Sequence, residues 1–578
     1  MGKGEVREKG DGKTEAERQE FVEDLNKFYS RFDCHDFSRE RAEKCRNLEQ
    51  KADMSMAPEI TESEVEMVFR KVNVNKACGP DQISGKIIKT FSKELAPVYC
   101  QVFNQSLANH EVPDSWKAAT ICPVPKKSRP STLNDYRPIA LTSILMKCLE
   151  RLVLRMLKNE TKDKVDPLQF AYRHNRGVED AVLTLIHETL AHINANGSYA
   201  RILFVDFSSA FNTVQPHILL GKLQDMNICP HLSLWIADFL HNRTQRVCVK
   251  KGIDATSSTS SSSSSLSSPS DSNSQTVGPP QTNSQLKAQI TNGTQNPGSV
   301  AHNDITNTHC FSDTRTINTG TPQGTVISPF IFTLYTNDCR STHEEQRTIK
   351  FSDDTAVVDF TESEEIFSNS VRDFSEWCEK NFLELNVGKT KEMVVDFKTN
   401  RTDVGELQIK GQTVERVTEY RYLGTVVDEK FKFKKNTEII HKKCRQRMVM
   451  LYQLRSLMVS NRILMQCYQA FVESILTFSF ICWFGSLDVK DRKLICGIAN
   501  QCGKIVGNRN INIPELYKKR VCAKAMKIHC DPSHWLNRVL EVLPSNRRFR
   551  SIRCKTKRFQ NTFFPCAIKF LNEEKTYM

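Results

Sequence analysis

Four consecutive apolar residues, Ile202-Leu203-Phe204-Val205, run directly into Asp206. An unbroken apolar run of this length leaves no polar face for water, so it reads as a β-strand buried on both sides. Such a strand needs a mixed α/β architecture in which other layers cover both faces of its sheet. A carboxylate at the exit of a buried strand sits where a sheet presents groups to a ligand. Standing ahead of Ser208-Ser209-Ala210-Phe211-Asn212, the same aspartate would equally serve as a helix N-cap.

A second segment sharpens the choice. Two β-prone runs, Ile349-Lys350-Phe351 and Thr355-Ala356-Val357-Val358, flank Ser352-Asp353-Asp354. A tight hairpin there would carry both carboxylates at its tip, although Asp-Asp pairs are also common in ordinary turns. The combination with Asp206 is what points to chemistry. Strand-borne carboxylates converging on one place suit hard, oxygen-seeking cations such as Mg²⁺. Two such ions, roughly 3.5–4 Å apart, clamp the attacking and leaving oxygens of a phosphoryl displacement. Between the two segments lies Gly320-Thr321-Pro322-Gln323-Gly324-Thr325-Val326-Ile327-Ser328-Pro329. Its glycines permit close backbone approach to a ligand, and the Gln323 amide can hydrogen-bond a nucleotide or template. Val326, Ile327 and the apolar run after Pro329 suggest a helix docked on the sheet.

The rest of the chain frames these segments. Residues 1–75 are polar and charged, with Phe21, Leu25, Phe28, Tyr29 and Phe32 at helical spacing, and read as an amphipathic helix on a mobile arm. Residues 254–313 are rich in Ser, Asn, Gln and Pro, and read as a disordered insertion inside a domain. The flanking RTQRVCVKK and TRTINTGTPQG read as strands that pair once the insertion is set aside. Beyond residue 429 the pattern is helical, with Ile440, Cys444, Met448, Leu451 and Leu454 on one face. Lys plus Arg outnumber Asp plus Glu by 81 to 67, a formal charge of +14 that favours polyanionic partners. The start MGKGEVREKGDGK has no apolar signal core, and Ile475–Phe484 covers only about half a bilayer, so an intracellular protein without a membrane span is expected. The 20 cysteines then serve as small hydrophobes.

FVDFSSAF, GTPQGTVISP and FSDD, in this order, resemble motifs A, B and C of a reverse transcriptase. The wider context, from KACGPDQIS at 76 to the end, is similar to non-LTR, LINE-type retrotransposon enzymes of fish and other vertebrates. NDYRPIALTSILMKCLERLV and QFAYRHNRGVEDAV resemble the fingers motifs. LNVGKTKEMVVDF resembles the strand region after the catalytic hairpin, and YRYLGTVVD the primer grip. The resemblance implies a right-hand polymerase: an α/β (α+β) palm with fingers and an α-helical thumb. Fingers would span 76–200 and the reverse transcriptase domain 106–428, with palm motifs at 201–216, 318–360 and 381–428. Residues 429–578 would form the thumb and a basic C-terminal region.

The resemblance also implies roles. Asp206, Asp353 and Asp354 would hold two Mg²⁺ ions, with Mn²⁺ as an alternative. Phe211 would be the aromatic gate against a ribose 2′-OH. Gln323 and Gly324 would lie beside the nucleotide and template, and Lys126 and Arg137 would close over the triphosphate. Lys389 matches the lysine after the catalytic hairpin, and Arg173 and Arg176 the second fingers motif. The partners implied are an RNA template, a DNA primer and dNTPs; the oligomeric state stays open. About 75 residues precede the resemblance, too few for the endonuclease that many such proteins carry, so polymerisation without cleavage is expected. Thr325, Phe330 and Ser352 depart modestly from the family pattern. The insertion between motifs A and B is the larger departure, and it leaves a rival reading: a silent nucleic-acid-binding remnant of a transposable element. The C-terminal RRFRSIRCKTKRFQNTFF interleaves basic residues and rings. That suits stacking on single-stranded nucleic acid, or a basic tail over a small apolar cluster.

Overall fold

The computed structural model describes residues 14–250, 309–400, 402–508 and 510–573. Ala200–Val205 is the central strand of a five-stranded sheet in the order Glu415–Arg416, Lys391–Val395, Ala200–Val205, Asp354–Asp359, Gln346–Phe351. The first pair is parallel and the others are antiparallel. Every residue of the central strand is buried, as its apolar run demands. Ile202 and Phe204 join a core built with helix Val178–Asn196 and the C-terminal helices, while Leu203 and Val205 join a second core with Trp235, Ile327 and Ile331. Each large side chain so buried contributes roughly 1.5–3 kcal/mol. A one-residue slip would exchange the two faces, so this burial fixes the register. Arg201, buried in the same strand, donates to Glu392 at 2.6 Å and to Glu364 at 2.8 Å, with its guanidinium 3.8 Å above the Phe367 ring.

The chain divides into two units. The larger unit holds the sheet just described. Its helix Ser328–Tyr335 buries Phe330, Ile331, Phe332 and Leu334. Helix Lys434–Ser456 buries Ile440, Cys444, Met448 and Leu451, with Leu454 partly buried against the same core, the face its spacing predicts. No single helix among the described residues is long and apolar enough to cross a membrane. The bent pair Asn461–Leu476 and Phe480–Ser486 has that length, and its Leu464, Tyr468, Val472, Leu476, Phe480 and Trp483 are buried in the core.

The smaller unit draws its described residues from Met1–Arg31, Ala119–Leu141 and Thr244–Thr316. Strands run in the order Tyr136–Leu141, Ala119–Pro125, Arg243–Lys250, His309–Phe311, and Arg315–Ile317 also pairs with Arg243–Lys250. The segments on either side of the Ser-rich interval therefore pair as their sequences suggested.

Three expectations need correction. Residues 14–75 are not a mobile arm. Helix Glu15–Ser30 buries Val22, Leu25 and Tyr29 against Ala119, Ile121, Ala140 and Val247 of the smaller unit's sheet. In the larger unit, helix Ser38–Ala52 buries Leu48 and Ala52 against Leu220, Leu234 and Ala237. The partners of these short apolar stripes are distant in sequence, so the charged segment looked free. The disordered interval assigned to 254–313 is too long at its C-terminal end, because His309–Phe311 pairs with Cys248–Lys250, and Ser312 Oγ accepts the Val247 N–H at 2.8 Å. The remainder of that interval lies outside the described residues. Finally, Phe549, Phe559, Phe563 and Phe564 are buried core residues, so the C-terminal rings do not stack on bases. Their basic neighbours Arg547, Arg548, Arg553 and Lys557 are exposed.

Candidate active site

Asp206 follows the last residue of the central strand. Val205 pairs with Thr355 across the sheet, so continuing the register by one residue sets Asp206 opposite Asp354. Asp354 opens its own strand and pairs with Phe351 across the two-residue turn Ser352-Asp353. Ser352 supplies the left-handed backbone that a tight hairpin needs, with φ 62. The apolar strands thus bring together carboxylates separated by nearly 150 positions in sequence.

Nothing neutralises this cluster fully. Burial, followed by the charges of Asp353 and Asp206, pushes the Asp354 carboxyl up to about 6. Asp206 Oδ2 is shielded from solvent and, among the described residues, accepts no hydrogen bond. It is ion-paired with Lys389, whose Nζ lies 3.4 Å away on a largely exposed side chain, so the pairing is a screened one. Lys389 is held there by the turn from Asn386, whose carbonyl and side-chain oxygens both accept the Lys389 N–H. Among the described residues, no three His, Cys, Asp or Glu side chains are grouped closely enough to hold a metal ion by themselves. A carboxylate oxygen paired only with an exposed lysine, beside two further carboxylates, nevertheless fits Mg²⁺ or Mn²⁺, because such ions take one or two protein carboxylates and complete their shells with substrate oxygens and water.

Two supports lie around the cluster. The Gln169 side-chain oxygen accepts the backbone N–H of Ser352 at 3.2 Å and of Ala171 at 3.0 Å. Lys350, beside the turn and buried, pairs with Asp166 at 2.7 Å and donates to the Thr336 carbonyl at 2.9 Å. Beneath the site the Tyr420 ring stacks on Phe204 with centroids 4.1 Å apart. Burial and the charges of Asp354 and Asp206 hold the Tyr420 phenol above its usual range.

The glycine loop closes over the turn that follows Asp206. Gly320 N–H donates to the Val214 carbonyl and Thr321 N–H to the Phe211 carbonyl, both at 2.7 Å. Gly320 has φ +75, and a Cβ there would meet the Asn212 backbone at 2.7 Å, so only glycine fits. Buried Arg243 donates to the Thr319 and Gly320 carbonyls at 2.6 and 2.8 Å. The Phe211 ring lies 4.9 Å from that of Phe332, partly buried. Gln323 is half-buried and Gly324 exposed. Asp206, Asp353, Asp354, Phe211, Gln323, Gly324 and Lys389 all belong to the larger unit.

Four further sequence candidates remain. Lys126 and Arg137 belong to the smaller unit. Both are exposed, and Lys126 Nζ donates to the Asn134 carbonyl at 2.6 Å. Arg173 donates to the Asp166 carbonyl at 2.9 Å, and Arg176 bonds Asp531 and Ser533, so these two serve internal contacts. Sequence reasoning missed Gln169, Lys350 and Glu150. Glu150 alone carried a visible signal: a charge on the apolar stripe Met146, Glu150, Val153, Leu157 of helix Ile144–Glu160.

Comparison with known proteins shows the family of the chain. Residues 124–264 and 280–427 match the family model described as reverse transcriptase (RNA-dependent DNA polymerase). The RNA-directed DNA polymerase from mobile element jockey of Drosophila melanogaster is 23% identical over 433 residues, covering 72% of this chain and 40% of that protein. A probable RNA-directed DNA polymerase from transposon X-element of the same species is 22% identical over 426 residues, covering 71% and 40%. The transposon TX1 uncharacterized 149 kDa protein of Xenopus laevis is 26% identical over 171 residues, 30% of this chain and 13% of that protein. The chain thus spans about 40% of the length of the Drosophila relatives. With the family model matched over residues 124–264 and 280–427, which include Asp206, Asp353 and Asp354, the chain belongs to the reverse transcriptase family.

Proposed function

We propose that this chain is an RNA-directed DNA polymerase of a non-LTR, LINE-type retrotransposon, extending a DNA primer with dNTPs on an RNA template. The observation that carries this reading is the register setting Asp206 opposite Asp354, with Asp353 on the adjoining turn. In this reading the central sheet is the palm, the smaller unit contributes to the fingers, and the helices after residue 429 form the thumb.

Asp206, Asp353 and Asp354 would hold two Mg²⁺ ions, which when bound supply Lewis-acid stabilisation to the attacking and leaving oxygens. The chain's own residues do the positioning. Asp206 and Asp354 set the location of negative charge on a rigid sheet rather than on a loop. Gln169 holds the turn that carries Asp353. Lys389 stands beside Asp206 and compensates its charge. Phe211, braced by Phe332, lies in the turn Ala210–Asn212, five residues after Asp206, and would fill the space of a ribose 2′-OH. Gln323 and Gly324 would border the nucleotide and template, and Lys126 and Arg137 would meet the triphosphate, where Arg can grip phosphate oxygens bidentately.

Primer extension on poly(rA)/oligo(dT) with Mg²⁺ tests the proposal. Template-dependent DNA synthesis is expected. Binding of the template–primer without synthesis would instead identify a silent nucleic-acid-binding remnant.

A further inference from the structure

We propose that Glu150 is a positioning residue for the incoming nucleotide, fastening the far end of the loop that carries Gln323 and Gly324. This rests on the assignment of that loop to nucleotide binding. Glu150 is completely buried among the apolar residues of helix Ile144–Glu160. Its Oε2 accepts the backbone N–H of Val326 and, at 3.0 Å, that of Ile327. These donors stand at the start of helix Ser328–Tyr335, whose N-cap, Ile327, has no side-chain oxygen to serve them. At the loop's near end Gly320 and Thr321 are bonded to Val214 and Phe211. Gln323 and Gly324 therefore span the interval between an anchor on the Phe211 turn and an anchor on Glu150.

An apolar residue at 150 would leave both N–H groups unpaired, so the carboxylate holds this end of the loop in spite of the cost of burying it. Among the described residues Glu150 Oε1 has no hydrogen-bond partner, which adds to that cost. Burial pushes the carboxyl up to about 7, against the opposing effects of the two N–H donors and of Lys147 and Arg151 on its own helix. Lys76 and Asp81 face Lys147 from the preceding segment, and residues 321–334 carry no ionisable side chain. Ionisation near neutrality strengthens both N–H···O bonds, because a charged acceptor binds more tightly than a neutral one.

The test uses the full chain with Glu150→Gln, which keeps the acceptor oxygen, and Glu150→Met, which removes it. dNTP KM and kcat are measured from about pH 6 to 8, with backbone hydrogen exchange at residues 320–327. In the wild type, KM for dNTP should fall several-fold as pH rises. The Gln variant should flatten this dependence, leaving only the part that follows Asp354 near pH 6, and keep slow exchange. The Met variant should raise KM about tenfold with kcat changed much less, and exchange faster at Val326 and Ile327. Wild-type KM and exchange in the Met variant would overturn the proposal, as would a pH dependence unchanged in the Gln variant. Should the Met variant fail to fold, the pH dependence in the Gln variant decides alone. If even the wild type makes no DNA, the polymerase reading fails. The exchange data would then still judge the anchor: faster exchange confined to Met supports it, and equal exchange in all three sinks it.

Discussion

The side-chain oxygen of Gln169 lies 3.2 Å from the backbone nitrogen of Ser352, whose left-handed φ of 62 turns the chain into Asp353. A hairpin tip bearing two like charges is a poor place to rely on local turn propensity. A buried acceptor from a distant segment fixes it instead. Replacing Gln169 with Met should keep the volume and leave the Ser352 N–H unsatisfied. We expect kcat to fall about tenfold or more, since an unpaired buried donor is worth roughly 1–3 kcal/mol. Template–primer affinity should change little. Single-turnover extension measures the first quantity and filter binding the second; an unaltered kcat would reduce Gln169 to a packing residue.

Asp206→Asn, Asp353→Asn and Asp354→Asn should each lower primer extension by at least about a hundredfold, because each removes charge from the proposed metal site. Full activity in either the Asp206 or the Asp353 variant would sink the assignment.

The Asp354 variant also carries a stability signature. Its carboxyl is raised in the folded chain to about 6 from 3.8. Ionisation therefore disfavours the folded state, and the stability present at low pH is lost as pH rises through about 6. In chelator, Asp354→Asn should melt above the wild type at pH 8 and level with it at pH 4. Added Mg²⁺ should raise the wild-type Tm at pH 8 more than that of the variant. A Tm difference independent of pH would mean that charge crowding is not the cause.

Lys350 pairs with Asp166 at 2.7 Å, and both side chains are buried. Removing one partner strands the other charge, so Lys350→Met should destabilise the protein by about 3–5 kcal/mol in denaturant titration. The double variant Lys350→Met/Asp166→Asn should recover part of that loss. A Lys350→Met protein as stable as the wild type would show that Asp166 finds another partner or a proton.

Phe211→Val should raise rNTP incorporation relative to dNTP by about tenfold to a hundredfold, the range in which an apolar wall can reject a hydroxyl. The readout is the ratio of kcat/KM values for the two sugars. An unchanged ratio with activity retained would leave the ring as a packing partner of Phe332.

Replacing residues 254–308 with a short Gly/Ser linker should keep Tm within a few degrees and leave extension unimpaired. The case is compositional, since ordering each residue costs roughly 1–2 kcal/mol in backbone entropy and so polar a segment has little apolar surface to offset it. Extending the deletion to 313 should destabilise markedly, because it removes the strand pairing Val249 with Cys310 and the Ser312 acceptor for Val247. Equal melting of the two deletions would show that this pairing contributes nothing.

The amino-acid sequence alone determined the periodic and the contiguous. The two-sided burial of Ile202–Val205 followed from an apolar run without a polar face, and a hairpin around Ser352-Asp353-Asp354 from the β-prone runs that flank it, although the structure turns at Ser352-Asp353 and leaves Asp354 on the strand rather than at the tip. The buried face of Lys434–Ser456 followed from a period near 3.6. Each is a short-range pattern whose free energy is settled by neighbouring residues. Tertiary structure decided what depends on partners far along the chain. A glutamine in QFAYRHNRG gives no local sign that its amide will brace a turn 183 residues away. The charge-rich N-terminal segment looked free because its buried stripe is short and its partners, Ile121, Ala140 and Val247, are distant in sequence. Arg173 and Arg176 matched a fingers motif that said nothing of their contacts, and packing assigned them to Asp166 and Asp531. A side chain's chemistry is written in its formula, but which polar group it meets is fixed only when the apolar faces close and leave each buried donor and acceptor to find a partner.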